Sequence, residues 1–254
     1  MKNGIQISSF RPVLTTPEEL KTACEKMAGM GCTIVQTQWI DPSIPPETVA
    51  QALKGAGISS VSVQDFYTEV AKHPDYYTRI NALTGGKWVC VSRIPEAWKT
   101  RSELHTYANE LRRMNQTLAS LGQELCFHPG SADFRGEPGF DPVAELLALY
   151  PELMICADLY HLHKSGRNIC SWLKKYAGRV CMVHFKDSIF HPDGTEELVP
   201  PGQGQVDWTG VAETCREIGV EYAFAEQERW QGDPFDRLRE GFDWLRSQNL
   251  SPSA

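Results

Sequence analysis

Basic residues are few and scattered in this chain of 254 residues. Lys and Arg number 25 against 32 Asp and Glu, the formal charge is -7, and no basic run exceeds the pairs Arg112-Arg113 and Lys174-Lys175. A nucleic-acid groove needs a clustered basic stripe to neutralise phosphates, so no nucleic-acid partner is expected. Long apolar runs are also missing. None approaches the roughly eighteen residues a membrane-spanning helix requires, so no membrane partner is expected either. The opening residues MKNGIQISSF lack an apolar h-region and alternate apolar with polar, which reads as a strand and not as a signal peptide. The eight cysteines, Cys24, Cys32, Cys90, Cys126, Cys156, Cys170, Cys181 and Cys215, form no CxxC pair. Several fall in apolar, strand-like runs, where a thiol behaves as a small hydrophobe. Secreted disulfide scaffolds are typically much smaller, so reduced cysteines and a cytoplasmic location are expected.

What the chain does have is a repeated alternation of short apolar runs and longer amphipathic ones. Strand candidates begin at Gly4 (GIQISSF), Cys32 (CTIVQTQ), Ser59 (SSVSVQDF), Trp88 (WVCVS), Glu124 (ELCFHPG), Leu153 (LMICADLY), Arg179 (RVCMVHFKD) and Tyr222 (YAFAEQE). Helical patterns lie between them. In TPEELKTACEKMAGMG, Thr16 fits the N-cap, Pro17 the first helical position and Glu19 a capping box, while Leu20, Cys24 and Met27 share one face. Similar helices are expected in PPETVAQALKGAG, TRSELHTYANELRRMNQTLASLG, PVAELLALYPE, ICSWLKKYAG, DWTGVAETCREIG and PFDRLREGFDWLRS. The segments KMAGMGCTIVQ, LKGAGISSVSV and CREIGVEYAFA each stop a helix at Gly and start a strand within a few residues, as a parallel sheet requires. Eight such units in a chain of this length favour an α/β fold closed as a (β/α)8 TIM barrel, one domain over residues 1–254. The stretch DSIFHPDGTEELVPPGQGQ after the seventh strand is rich in Gly and Pro and reads as a long irregular binding loop or lid.

In such a barrel, polar residues at the C-terminal ends of different strands converge on one pocket. Strand three ends in Gln64 and Asp65, strand five in His128, strand six in Asp158 and then His161. Strand seven ends in His184, Lys186 and Asp187, strand eight in Glu226 and Glu228. His128, Asp158, His184 and Glu226 make a four-ligand set on consecutive strands, suited to one divalent Mn, Co, Zn, Fe or Mg ion. The competing reading makes both histidines ordinary hydrogen-bonded barrel-end residues and pairs Glu226 with a Lys or Arg. Lys186 either stabilises an oxyanion or pairs with Asp187 or Glu226. Arg229 and Arg135 are candidates for a phosphate or carboxylate, but neither sits in a recognisable Gly-rich anion cradle, so a phosphorylated substrate is not indicated. Gly202 and Gly204 read either as exposed N–H groups or, more simply, as a tight turn before a helix capped by Asp207. Tyr160 and Trp39 are candidates to stack on a sugar face, and His163 to follow His161 into the mouth if strand six extends that far.

The segments DLYHLHKSG from Asp158, YAGRVCMVHFKD ending at Asp187, GQGQVDW ending at Trp208 and FAEQERW ending at Trp230 resemble the sugar phosphate isomerase/epimerase superfamily, with its xylose isomerase-like barrel. VHFKD matches that family's VHLKD-type strand, and GQGQVDW its G-x-G-x-[LV]-[DN]-[WF] motif. The resemblance implies that Asp158 and His184 ligate the metal, that Glu226 is both ligand and acid-base group, and that His161 binds substrate. Asp65, Glu228 and Arg229 join Tyr160, Trp39 and His161 as substrate contacts, with Glu226, His128 and Lys186 catalytic. Strand five departs from the pattern: His128 stands where such epimerases usually carry a second glutamate base.

The implied activity is isomerisation or epimerisation of a sugar or keto-polyol, by proton abstraction and a metal-stabilised enediolate. The same first step also serves a lyase, through keto-polyol dehydration or β-elimination of a 3-keto-glycoside. A further alternative is a catalytically altered sugar-binding or assembly subunit. A metal-dependent AP endonuclease shares the barrel, but seven histidines and the acidic charge fit it poorly. The expected partner is a small carbohydrate; the oligomeric state stays open, a homo-oligomer included.

Overall fold

The computed structural model describes residues 1–248, so the end of the expected domain, residues 249–254, lies outside the described residues. Eight parallel strands close into a barrel: β1 (Lys2–Gln6), β2 (Ile34–Gln38), β3 (Ser59–Phe66), β4 (Trp88–Ser92), β5 (Glu124–His128), β6 (Met154–Asp158), β7 (Val180–Phe185) and β10 (Tyr222–Ala225). The strands β8 (Asp187–Phe190) and β9 (Glu196–Val199) form a separate antiparallel pair. Closure is made where β1 pairs with β10, Lys2 against Tyr222 through Ile5 against Ala225. Gly4 permits this approach, since a Cβ there would lie 2.5 Å from the Ile34 carbonyl oxygen and 2.9 Å from the Phe224 ring.

Helices between the strands cover the barrel and bury its outer face, with Ile5, Val35, Val63, Val89, Phe127, Ile155, Val183 and Ala225 meeting residues such as Leu20, Leu53, Leu111 and Leu245. The expected capping box is present: the Glu19 N–H donates to Thr16 Oγ1, and the Glu19 carboxylate accepts from the Thr16 N–H. Asp207 caps its helix as expected. Inside the barrel, Trp88, Cys90, Cys126, Cys156, Cys181, Met182 and Phe224 form an apolar layer.

Four local expectations need correction. The strand expected to run from Gly4 to Phe10 ends at Gln6 and passes into a 3-10 helix, Ile7–Val13. Between β3 and β4 lie two helices, Tyr67–Lys72 and Pro74–Thr84, whose short or aromatic-interrupted apolar pattern hid them. Beyond Asp158 the chain turns at once into a helix, Leu159–Lys164, so His163 does not follow His161 by strand alternation. The segment expected to be irregular contains the β8–β9 hairpin. It is tied at its base, where Asp187 accepts the N–H groups of Ser188 (2.8 Å), Gly202 (3.1 Å) and Gly204 (2.9 Å). Those two glycine N–H groups are therefore occupied. A Cβ on Gly204 would overlap the Asp187 carboxylate, which explains the glycine.

Candidate active site at the barrel mouth

Strand alternation sets the position of the ionisable groups. Cys126, Cys156, Met182 and Phe224 belong to the apolar interior layer, and two residues further along each strand come His128, Asp158, His184 and Glu226. The four groups are thus lifted one layer above a dry floor, and each residue is at most 5 % exposed. Asp158 also caps the helix that follows it, Oδ1 accepting the His161 N–H at 2.9 Å. That contact holds His161 over the site, with Nε2 3.7 Å from Asp158 Oδ2; His128 Nε2 lies at the same 3.7 Å from that oxygen. His184 Nδ1 is 3.1 Å from Glu226 Oε2. The His128 and His184 ring centroids are 5.0 Å apart.

Lys186 is drawn into the same centre. Its ammonium is 3.1 Å from Asp158 Oδ2, 3.2 Å from Glu226 Oε2 and 2.9 Å from Glu228 Oε1, and the residue is 1 % exposed. Lys186 pairs with Glu226 and not with Asp187. Burial works against ionising Asp158, yet the His161 ring and the Lys186 ammonium beside it hold its carboxyl well below the usual range. Glu226 is likewise held low against burial by Lys186 and His184. Glu228 moves the other way, raised by burial and by the charge of Glu226. Burial pushes the Lys186 ammonium towards neutrality, but the three carboxylates outweigh it and keep it charged. Burial lowers His128 and takes His161 down to about 3, so both rings are neutral at physiological pH.

The donor set fits a divalent cation. Ligand atoms of His128, Asp158 and His184 lie within 4.8 Å of one another and all three residues are buried. Both ring nitrogens of His128, Asp158 Oδ2 and His184 Nδ1 lack a hydrogen-bond partner; the contacts of the last two with Lys186 and Glu226 are close but not aligned as hydrogen bonds. Buried polar atoms left open in this way are uncommon in folded chains. Two imidazoles and a carboxylate suit Zn, Mn, Fe or Co. Glu226 borders this trio through His184.

Beside the ring lies a polar network that the strand patterns did not reveal as functional. His184 Nε2 is 2.5 Å from Gln36 Oε1, Gln6 donates to Gln36 (2.9 Å) and Gln64 (3.3 Å), and Gln64 donates to Ser92 Oγ (2.9 Å). Ser8 donates to Glu226 Oε1 at 3.1 Å. Inward-pointing glutamines in otherwise apolar strands, as in IVQTQ, were the available signal.

Other expected contacts are more dispersed. Tyr160 lies beneath Lys186, 5.2 Å from ammonium to ring, but its hydroxyl is occupied by Glu196 on the hairpin (2.7 Å) and by Lys164 (2.8 Å). Arg229 is not brought into the ring; it pairs with Glu196 at 3.2 Å and stays largely exposed. Trp39 and Asp65 line a separate part of the mouth, a cavity of about 700 Å3 at the ends of β2 and β3 that also includes Gln64 and Tyr77. There Trp39 has φ 55° and carries Arg11 over its ring at 4.8 Å, while Asp65 accepts from Tyr77 at 2.8 Å.

The family model described as "Xylose isomerase-like TIM barrel" matches residues 15–248. No curated protein matches the chain. Among solved structures, a sugar phosphate isomerase/epimerase from Parabacteroides distasonis ATCC 8503 superposes with TM-score 0.77 at 16% identity, covering 98% of this chain and 94% of that one. The probable 3-DHS dehydratase AsbF involved in petrobactin synthesis, from Bacillus anthracis, superposes with TM-score 0.75 at 16% identity, covering 98% and 100%. The IOLI protein with a binding zinc atom gives TM-score 0.74 at 16% identity, covering 98% and 97%. At these identities the likeness is one of fold. No helix among the described residues is long and apolar enough to cross a membrane.

Proposed function

The chain belongs to the xylose isomerase-like TIM barrel family, and on that premise we propose that it is a divalent-metal-dependent isomerase or epimerase of a sugar or keto-polyol. The observation that carries this reading is the buried trio His128, Asp158 and His184, with ligand atoms open toward one another above a dry floor. His128, Asp158 and His184 would hold the ion, with Glu226 beside them. When bound, such an ion supplies positive charge for the oxygens of an enediolate.

The chain's own residues account for the remaining steps. Gln36 fixes the His184 ring through Nε2 and so aims Nδ1 into the centre. Ser8 and Lys186 hold the Glu226 carboxylate, which takes the proton from the substrate carbon. His161, neutral and anchored by Asp158, hydrogen-bonds a substrate hydroxyl. His128 is neutral and, with one ring nitrogen turned to the ion, keeps the other unpartnered, so it can carry a proton on the side where a second carboxylate is missing. The Lys186 ammonium lies within reach of an oxyanion forming beside Glu226. Burial of the whole ring keeps water from competing for these contacts.

That histidine at the end of β5 favours a second reading, a lyase that removes one proton and expels a β-hydroxyl, because elimination needs no symmetrical pair of carboxylate bases. Elemental analysis of the native protein and of the H128A, D158A, H184A and E226A variants, with circular dichroism to verify folding, tests the metal. About one divalent ion per chain, lost in the folded variants, is expected. Solvent deuterium exchange into ketoses and keto-polyols then detects proton abstraction under either reading. Native protein that takes up no ion from ample divalent metal overturns the proposal.

A further inference from the structure

Arg93 follows directly on Ser92, the last residue of β4, and is one of two non-glycine residues with positive φ among those described, at 70°. L-residues rarely hold that conformation unless their surroundings impose it. Here two bonds do so: the Arg93 N–H donates to the His128 carbonyl at 3.1 Å, and its own carbonyl accepts from Tyr107 Oη at 3.0 Å. The strained residue is thereby fastened to the backbone of His128. Its guanidinium lies flat against Gly130, where a Cβ would overlap it, and within electrostatic reach of His161.

Among the described residues the guanidinium has no partner. Other cations near the strand ends are engaged, Lys186 by Asp158, Glu226 and Glu228, Lys164 and Arg229 by Glu196, Lys99 by Glu96 and Asp133, Arg167 by Asp141, and Arg11 by the Trp39 ring, while Arg135 in the loop after β5 is exposed to solvent. Arg93 is half-buried, yet among the described residues no carboxylate, carbonyl or ring is placed to receive its five N–H groups. Beside it, His161 Nδ1 and both His128 nitrogens are buried and equally unpartnered. A charged fork of donors held by backbone strain next to open imidazoles is a site built for an oxyanion.

We propose that Arg93 binds the anionic oxygens of an acidic substrate, a sugar or keto-polyol bearing a carboxylate or a phosphate, and so selects acids over neutral polyols. The inference rests on the metal-dependent sugar or keto-polyol reading and narrows its substrate class. Gly130 is the second half of the device: its φ of -92° suits any residue, so the space for the guanidinium is what a side chain there would remove.

Calorimetric titration of the metal-supplemented protein with D-galacturonate against D-galactose, and with D-glucose 6-phosphate against D-glucose, tests it. One acid is expected to bind at least about tenfold tighter than its neutral parent. Which acid does so separates carboxylate from phosphate. The preference should vanish in Arg93→Met and in Gly130→Ala, the latter keeping the charge but displacing it, while affinity for the neutral parents is unchanged. Equal binding of acid and parent to the native protein, or a preference that survives in folded Arg93→Met, overturns the anion site and leaves the sugar reading standing. Failure of acids and neutral parents alike to bind sinks the sugar reading, and the inference falls with it.

Discussion

Replacing Lys186 with Met removes a buried cation from a ring of carboxylates. Asp158 and Glu226 are each at most 4 % exposed and would be left without their ammonium, whereas Glu228 has a side chain 28 % exposed and can turn to water. Breaking a buried ion pair by deleting one partner costs about 3–5 kcal/mol, because the remaining charge stays desolvated. For a chain of this size each kcal/mol moves the melting temperature by about 2–4 °C, so a fall of about 10 °C is expected in the presence of EDTA. The loss depends on pH. Asp158 and Glu226 are depressed in the folded protein, so their contribution is fully present above the unfolded carboxylate range and disappears as acid protonates them. The gap between native and K186M should therefore be widest near neutrality and close on acidification. Added divalent ion replaces the missing charge, so the variant should gain about 2.7 kcal/mol when the ion is present at a hundred times its Kd, and more than the native protein gains at the same ion concentration. Thermal and urea denaturation with EDTA, then with Mn or Zn, measure all three effects. A loss under about 1 kcal/mol at pH 7 in EDTA would show that Lys186 does not neutralise these groups.

Gln36→Met removes the side-chain oxygen held against His184 Nε2, and divalent-ion affinity should fall about 10- to 100-fold by calorimetry, with a normal circular dichroism spectrum; unchanged affinity refutes the orienting role. Asp187→Ala strands the N–H groups of Ser188, Gly202 and Gly204 and should cost about 3 kcal/mol in urea, with faster proteolysis near residue 202; a cost below about 1 kcal/mol is the contrary result. Burial raises Asp65, so its ionised form destabilises the fold above the raised pKa and not below the unfolded one. Asp65→Asn should accordingly be stabilising at pH 7 and neutral near pH 3, and a gain independent of pH would contradict that assignment.

The barrel was legible because its signals are local and repeated. WVCVS became β4 and SSVSVQDF became β3 without a shift of boundary, and Thr16, Pro17 and Glu19 marked a helix start that tertiary packing had no reason to override. The convergence of His128, Asp158, His184 and Glu226 was also readable, since period-two alternation and closure suffice to bring strand ends together. Partner choice was not. Whether Lys186 would reach Asp187 or Glu226 depends on β7 ending at Phe185 and the chain reversing into the hairpin, a long-range event. Arg93 was missed for a related reason: an isolated arginine after a strand carries no pattern, and its significance lies in a backbone angle and an absence of partners. Arg229, adjacent in sequence to the acidic strand end, was drawn outward by Glu196, which only the hairpin brings near.

The cysteines give the molecule a set of built-in clocks. Every one of them is a free thiol, and all but the half-buried Cys170 are enclosed. A thiol-specific reagent reaches an enclosed sulfur only when the surrounding element opens, so labelling rates in the native protein convert into local opening free energies. Cys24 and Cys32 would time the first helix and the start of β2, and Cys215 the helix Trp208–Glu217. Cys90, Cys126, Cys156 and Cys181, sealed inside the closed sheet, would react only when the barrel itself comes apart. Once exposed without reductant, the same eight sulfurs can cross-link at random, so unfolding in air should be recorded as a loss of reversibility.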